Sequence, residues 1–196
     1  MVKTSGETRS SGGGKTVLYC GSFNPLHIGH LAILQSLCAS PEVTRVLLVV
    51  SPKNPLKDSI SKDSASARFA AAQEALLRHP ELCGKVVVSD IELNMPAPHY
   101  TIRTLDTLSA QTPSEHFALA IGGDQLDDFR RWKDYEKILL KYGLWVYPRK
   151  GFDCVALREE LLKENPLYQI RLIEAAEVDV SSTLIREGLL SDEHLM

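Results

Sequence analysis

A surplus of basic charge, closely paired cysteines and long apolar runs are all missing from this sequence, and each gap removes a class of function. Lysine and arginine number 22 against 25 acidic residues, for a formal net charge of −3. A protein that works mainly on nucleic acid needs a clustered positive excess to meet the phosphate backbone, so no nucleic-acid partner is expected. A local seat for small anions stays open. The four cysteines, Cys20, Cys38, Cys83 and Cys154, lie far apart and form no C-x-x-C pair. That withdraws the usual zinc and dithiol signals and fits free thiols in a reducing compartment. No apolar stretch approaches the roughly 20 residues that span a bilayer, and no signal-peptide-like segment opens the chain. A cytoplasmic protein with no membrane partner is the expectation.

The first fifteen residues also lack what a core needs. Met1 to Lys15 are mostly Ser, Thr, Gly and charged residues, with Gly12-Gly13-Gly14 near their end, and cannot bury enough apolar surface to offset the entropy of ordering. A disordered tail over 1–15 and a single domain over 16–196 are expected. With 196 residues and 44% apolar composition, the chain can fill one core of ordinary domain size.

What is present is an alternation of two patterns. Short runs rich in β-branched and apolar residues predict strands over Thr16–Cys20, Arg45–Val50, Lys85–Ser89, Phe117–Ile121, Leu144–Val146 and Gln169–Ile173. Val46-Leu47-Leu48-Val49-Val50 is apolar without a break, as suits a strand covered on both faces of a parallel sheet. Helical spacing lies between the runs. Leu31, Leu34 and Cys38 recur after His30; Ala65–Arg78 carries Phe69, Ala72 and Leu76 on one side. Thr101–Gln111, Asp134–Leu140, Ala156–Glu164 and Ser182–Leu189 complete the series. The alternation predicts an α/β fold, a doubly wound, Rossmann-like parallel sheet with helices on both faces and right-handed crossovers. Ligands of such sheets bind beyond the carboxyl ends of the strands, so the loops after the strands are where function is expected.

Directly after the first strand stands Gly21-Ser22-Phe23-Asn24-Pro25-Leu26-His27-Ile28-Gly29-His30. A glycine at a strand end lets backbone N–H groups approach an anion, and a helix start adds unpaired donors and the positive end of its dipole. Histidines three apart project from one side of a helical turn. Taken alone, such a pair is commonly solvated or caps the helix. A zinc site is not indicated, because the H-E-x-x-H spacing and a third ligand are absent; no protein-built metal site is expected.

The string G-S-F-N-P-x-H-x-G-H between first strand and first helix resembles the signature of the nucleotidyltransferase superfamily. The rest of the chain is similar, within it, to the nicotinate-nucleotide adenylyltransferases. The matching segments are Ser51-Pro52-Lys53-Asn54-Pro55-Leu56-Lys57, Asp90-Ile91-Glu92-Leu93, His99-Tyr100-Thr101-Ile102-Arg103-Thr104-Leu105, Ile121-Gly122-Gly123-Asp124 with Trp132, Val146-Tyr147-Pro148-Arg149 and Val180-Ser181-Ser182-Thr183-Leu184-Ile185-Arg186.

The resemblance implies transfer of AMP from ATP to nicotinate mononucleotide, giving deamido-NAD and pyrophosphate in NAD biosynthesis, with Mg²⁺ accompanying ATP. Related alternatives are an adenylyl acceptor such as nicotinamide mononucleotide or phosphopantetheine, and a non-catalytic nucleotide-binding protein. By resemblance His30 meets the α-phosphate, His27 supports a phosphate, and Arg186 completes the catalytic set. Gly21, Ser22, Phe23, Gly29, Gly122, Asp124, Ser181, Ser182 and Thr183 join these three around ATP. Asn24, Lys57, Tyr100, Thr101, Trp132 and Arg149 fall on the mononucleotide side.

Each has an ordinary reading as well. Ser181-Ser182-Thr183 opens a helix as any hydroxyl N-cap does, Lys57 and Arg149 read as solvated charges, Asp124 as a helix cap, and Trp132 as core. Three positions depart from the family form: Leu56 stands where a histidine is usual, His99 replaces a serine and Arg103 an aspartate. The last two bear on acid-versus-amide preference. Ala65–Arg78 either contributes Arg68 to the site or only buries its Ala and Phe face, with burial favoured.

Overall fold

β1 (Lys15–Gly21) places Val17, Leu18 and Tyr19 out of solvent, and such a run is stable only where both faces are covered. The computed structural model, which describes residues 14–52, 64–174 and 195–196, covers them with a layer of helices on each side. α1 (Ile28–Ala39), β2 (Val43–Val50), α2 (Ala65–Leu77) and β3 (Val86–Ser89) form the first half. A 3₁₀ turn at Ile91–Asn94, α3 (Thr101–Gln111), β4 (His116–Gly122), α4 (Gly123–Asp127), a second 3₁₀ turn at Phe129–Arg131, α5 (Tyr135–Lys141), β5 (Leu144–Tyr147), α6 (Cys154–Glu164) and β6 (Ile170–Leu172) form the second.

The six strands are ordered β3-β2-β1-β4-β5-β6 and all pair in parallel. This is the doubly wound sheet that the alternation predicts. Alternate residues of each strand serve opposite faces. Val17 and Tyr19 join Ile33, Leu34 and Leu37 of α1 and Ala72 and Ala75 of α2 in one core. Leu18 joins Ile102 and Leu105 of α3, Ile138 and Leu139 of α5, and Leu161 of α6 in the other. Strand order reverses between β1 and β4, which makes the carboxyl ends of those two strands the crevice of the fold.

The structure adjusts the sequence reading in detail. β1 begins at Lys15, one residue ahead of the expected start, and the last strand is trimmed to Ile170–Leu172. On α2 the fully buried positions are Arg68, Ala72 and Ala75, while Phe69 and Leu76 are half-buried against the core. The two 3₁₀ turns and five-residue α4 are too short to carry a period. The expected helix at 182–189 lies outside the described residues. Among those described, no helix is long and apolar enough to cross a membrane.

Candidate active site

The loop after β1 is held by its own side chains. Phe23 has φ of +43°, a left-handed conformation that costs a bulky residue about 1–2 kcal/mol. Its ring repays this by burial, packing edge-on to Tyr19 at 5.4 Å and to His30 at 5.2 Å between centroids. Gly21 is required beneath it: a Cβ there would sit 2.9 Å from the Phe23 ring. Asn24 follows, joined by a cis bond to Pro25, and His27 then takes the N-cap of α1.

His27 and His30 lie together as the spacing predicts, ring centroids 3.7 Å apart, with buried Gly29 between them in the first turn. His27 is 1% and His30 9% exposed. The His27 N–H donates to His30 Nδ1 at 3.2 Å, so a neutral His30 carries its proton on Nε2. Burial lowers the His27 pKa to about 4, with the charge of Arg149 adding to the effect. Burial, then His27 and Arg149, hold His30 well below the usual histidine value. Near neutral pH both rings are uncharged donors and acceptors, and an arriving polyanion would draw protons onto them. His27 Nδ1 is buried without a hydrogen-bond partner among the described residues.

Behind the pair, the His27 backbone bridges to Leu195, the Met196 N–H donates to the Leu26 carbonyl at 3.5 Å, and Arg78 donates to the Met196 carbonyl at 2.6 Å. Residues far apart in sequence thus fix the first turn of α1.

Across the crevice β4 and β5 supply the opposite wall. Asp124 lies in the first turn of α4, whose N-terminal Gly122 N–H is capped by Gln125 Oε1 at 3.0 Å. The capping role considered for Asp124 therefore falls to Gln125. Asp124 is instead 3.7 Å from Arg149 Nε. The Arg149 guanidinium stands 5.7 Å from the Tyr147 ring centroid, and the Tyr147 and Tyr19 hydroxyls are 3.2 Å apart. An aromatic and polar chain thus runs from Asp124 through Arg149 and Tyr147 to Tyr19, which packs against Phe23. Arg149, assigned from sequence to the mononucleotide side, stands next to Asp124, assigned to the ATP side. Gly123 is needed for packing, since a Cβ there would lie 2.6 Å from Cys154 Sγ on α6.

Tyr100 and Thr101 form the N-cap and first residue of α3, half-buried. The two family departures beside them turn back on their own loop. His99 Nε2 is 3.0 Å from the Met95 carbonyl, and Arg103 donates to the Pro98 carbonyl at 2.7 Å. Trp132 lies tilted beside Phe129, centroids 5.0 Å apart, and is half-buried against the second core. Among the described residues no three His, Cys, Asp or Glu side chains converge as metal ligands would. Lys57, Ser181, Ser182, Thr183 and Arg186 lie outside the described residues.

Two buried polar groups take roles that the sequence leaves open or does not show. Arg68, 3% exposed, donates to the carbonyls of Ser22, Ser51 and Pro52; its place one turn before Ala72 on the buried face was the available signal. Glu92, 2% exposed, accepts from the Thr104 hydroxyl at 2.8 Å and ties the 3₁₀ turn to α3.

Comparison with known proteins gives the family and the fold. The cytidylyltransferase-like family profile matches residues 18–188. A Cytophaga hutchinsonii protein named "Probable nicotinate-nucleotide adenylyltransferase" is 39% identical over 172 residues, covering 88% of this chain and 84% of that protein. A Flavobacterium psychrophilum protein of the same name is 35% identical over 181 residues, covering 92% and 89%. Among solved structures, Plasmodium falciparum nicotinic acid mononucleotide adenylyltransferase complexed with NaAD superposes with a TM-score of 0.75 at 21% identity, covering 91% of this chain and 85% of that one; at that identity the likeness speaks for the fold. With the histidine motif at the crevice of a doubly wound sheet and relatives that match almost end to end, the chain belongs to the cytidylyltransferase-like family and, within it, to the nicotinate-nucleotide adenylyltransferases.

Proposed function

We propose that the protein transfers AMP from ATP to nicotinate mononucleotide, forming deamido-NAD and releasing pyrophosphate as a step of NAD biosynthesis. The observation that carries this reading is the buried, uncharged His27–His30 pair at the start of α1, facing a wall that contains Arg149, in a chain of this family.

In the proposed reaction a phosphate oxygen of the mononucleotide attacks the α-phosphorus of ATP. The new P–O bond forms as the bond to pyrophosphate breaks, and no protein atom is covalently modified. Catalysis is then positioning and charge stabilisation. His30 donates from Nε2 to the α-phosphoryl oxygens as charge builds there, and His27 steadies a neighbouring phosphate. The first turn of α1 and the backbone of Gly21-Ser22-Phe23 add N–H donors and a favourable dipole. Asp124, with Gly122 letting the chain come close, suits the ribose hydroxyls. Ser181, Ser182, Thr183 and Arg186 are assigned the outer phosphates. Tyr100, Thr101 and Trp132 are assigned the pyridine end, and Asn24, Lys57 and Arg149 the mononucleotide phosphate and ribose.

Mg²⁺ is part of the proposal as the companion of ATP. Its ligands would be mainly phosphate oxygens and water, so a cage of protein carboxylates is not required. Its chemistry is to neutralise and orient the leaving pyrophosphate. A cytoplasmic setting agrees with the four cysteines, all free thiols.

The deciding experiment mixes purified protein with ATP, Mg²⁺ and nicotinate mononucleotide and follows pyrophosphate and the dinucleotide product. Turnover several-fold faster than with nicotinamide mononucleotide supports the reading. Preference for the amide form, or for phosphopantetheine, overturns the acceptor assignment, and ATP binding without any product overturns catalysis.

A further inference from the structure

Ser22 is the first residue after β1, and Ser51 and Pro52 are the first two after β2. The parallel ladder runs one bond past the strands, with the Ser51 N–H donating to the Gly21 carbonyl at 2.8 Å; beyond it the two chains part. Arg68 reaches this fork from the first third of α2, a helix capped by Ser64 Oγ accepting from the Ala67 N–H at 3.1 Å. One terminal nitrogen, Nη1, donates to both the Ser22 and Ser51 carbonyls, the latter at 3.0 Å, and Nη2 donates to the Pro52 carbonyl at 3.1 Å. A planar fork of donors is suited to several carbonyls at once, where an ammonium group is not.

The Ser22 carbonyl belongs to the same rigid peptide plane as the Phe23 N–H. Holding that oxygen fixes the plane about which the +43° φ of Phe23 is measured, and turns the Phe23 N–H to the edge facing away from Arg68. A strained residue persists only where its surroundings over-determine it; here the ring is held by Tyr19 and His30 and the preceding peptide by Arg68.

We infer that Arg68 is a positioning residue for adenylyl transfer: by clasping the Ser22 carbonyl it sets the Ser22–Phe23 peptide so that its N–H, with the His27–His30 turn that follows, meets the α-phosphate. Arg68 touches no substrate. The inference rests on the proposed reaction for its kinetic consequence, but not for its structural one.

The test uses Arg68→Met, Arg68→Lys and, as a matched control, Ala75→Gly on the same buried face of α2. Because misplacement of reacting groups by about 1 Å costs on the order of a hundredfold, the kcat of folded Arg68→Met is expected to fall roughly tenfold to a hundredfold, with the KM for the mononucleotide little changed. Arg68→Lys recovers part of the loss, since lysine reaches one carbonyl in place of three. Ala75→Gly lowers the melting temperature without lowering kcat. Amide hydrogen exchange, read without substrate, should quicken over residues 21–24 and at Ser51 in Arg68→Met but not in Ala75→Gly. An unchanged kcat in folded Arg68→Met, or faster exchange spread evenly over every element, overturns the inference. If the unsubstituted protein gives no product at all, the functional reading fails, and the exchange measurement alone then decides for or against the clasp.

Discussion

The two ends of the crevice are built to different standards of rigidity. At the end proposed for the phosphates Phe23, His27 and His30 are all at most 9% exposed, interlocked ring against ring and clasped from behind by Arg68 and by Leu195 and Met196. At the end proposed for the pyridine ring Tyr100, Thr101 and Trp132 are only half-buried, and their neighbours His99 and Arg103 bond to their own loop. The contrast follows from what each end must do. Charge stabilisation in a transition state rewards fixed dipoles, because reorganisation at the moment of reaction is costly; recognition of a flat ring asks mainly for a face of the right size.

The sharpest break of this comparison is His30→Ala. Loss of a preorganised donor costs about 10²–10³ in kcat, near 3–4 kcal/mol, and steady-state pyrophosphate release at saturating ATP should show that loss with the mononucleotide KM nearly intact. A change confined to KM would remove His30 from the transition state.

Acid should loosen the phosphate end next. Both rings are neutral in the fold, while the unfolded chain takes up protons below the ordinary value of 6.5. The unfolded state thus binds more protons as pH falls. Stability from the neutral pair is full above 6.5 and is lost as pH falls towards about 4, where folded His27 also protonates. The shift of His27 alone corresponds to about 3 kcal/mol. Urea unfolding at stepped pH should show this slope, and His27→Gln should flatten it; an identical slope in that variant would assign the protons elsewhere. Asp106 acts in a lower window. Burial pushes its carboxyl up, but hydrogen bonds from Lys137, Tyr142 and Lys141 outweigh this and hold the pKa at about 2, below its usual 3.8, so its contribution is lost only as pH falls below about 4.

At the root of the pyridine end, Thr104→Val leaves Glu92 buried without its donor. Removing one partner of a buried polar pair costs about 1–3 kcal/mol, visible as a lower denaturation midpoint with ATP affinity unchanged. The smallest effect is expected for Trp132→Ala. Stacking of an aromatic on a base is worth about 1–3 kcal/mol, and for a ring half-buried in the core the lower part of that range applies, roughly a tenfold rise in mononucleotide KM and little change in kcat. If Trp132→Ala cost more in kcat than His30→Ala, the division between the two ends would collapse.

Much of the fold was legible because it is written in continuous stretches. Val46 to Val50, apolar without a break, suits a strand covered on both faces, and the histidine spacing after Gly21 places both rings on one turn. Legibility fails where an arrangement depends on distant partners. Arg68 sits in an Ala-rich helix that gives no hint of three waiting carbonyls; the pairing of Arg149 with Asp124 joins the ends of β4 and β5; and Gln125, not Asp124, caps α4 because backbone direction there decides which side chain can reach back to Gly122. The departures at His99 and Arg103 bear in sequence on acid-versus-amide preference, and only the structure shows His99 meeting the Met95 carbonyl and Arg103 donating to the Pro98 carbonyl.

The place of β1 at the middle of the sheet also governs how the chain comes into being. Thr16 pairs with Arg45 on one side and with Phe117 on the other. During synthesis the first partner arrives soon, whereas the second must wait for most of the intervening chain. Until then one edge of an apolar strand stays bare, a template for other nascent chains, and closing it carries the entropic delay of a distant contact. The loop that bears the histidines hangs from this same strand. A half-made polypeptide therefore has the segment proposed to bind phosphate but not the wall that faces it, which is in place only once β4 has docked.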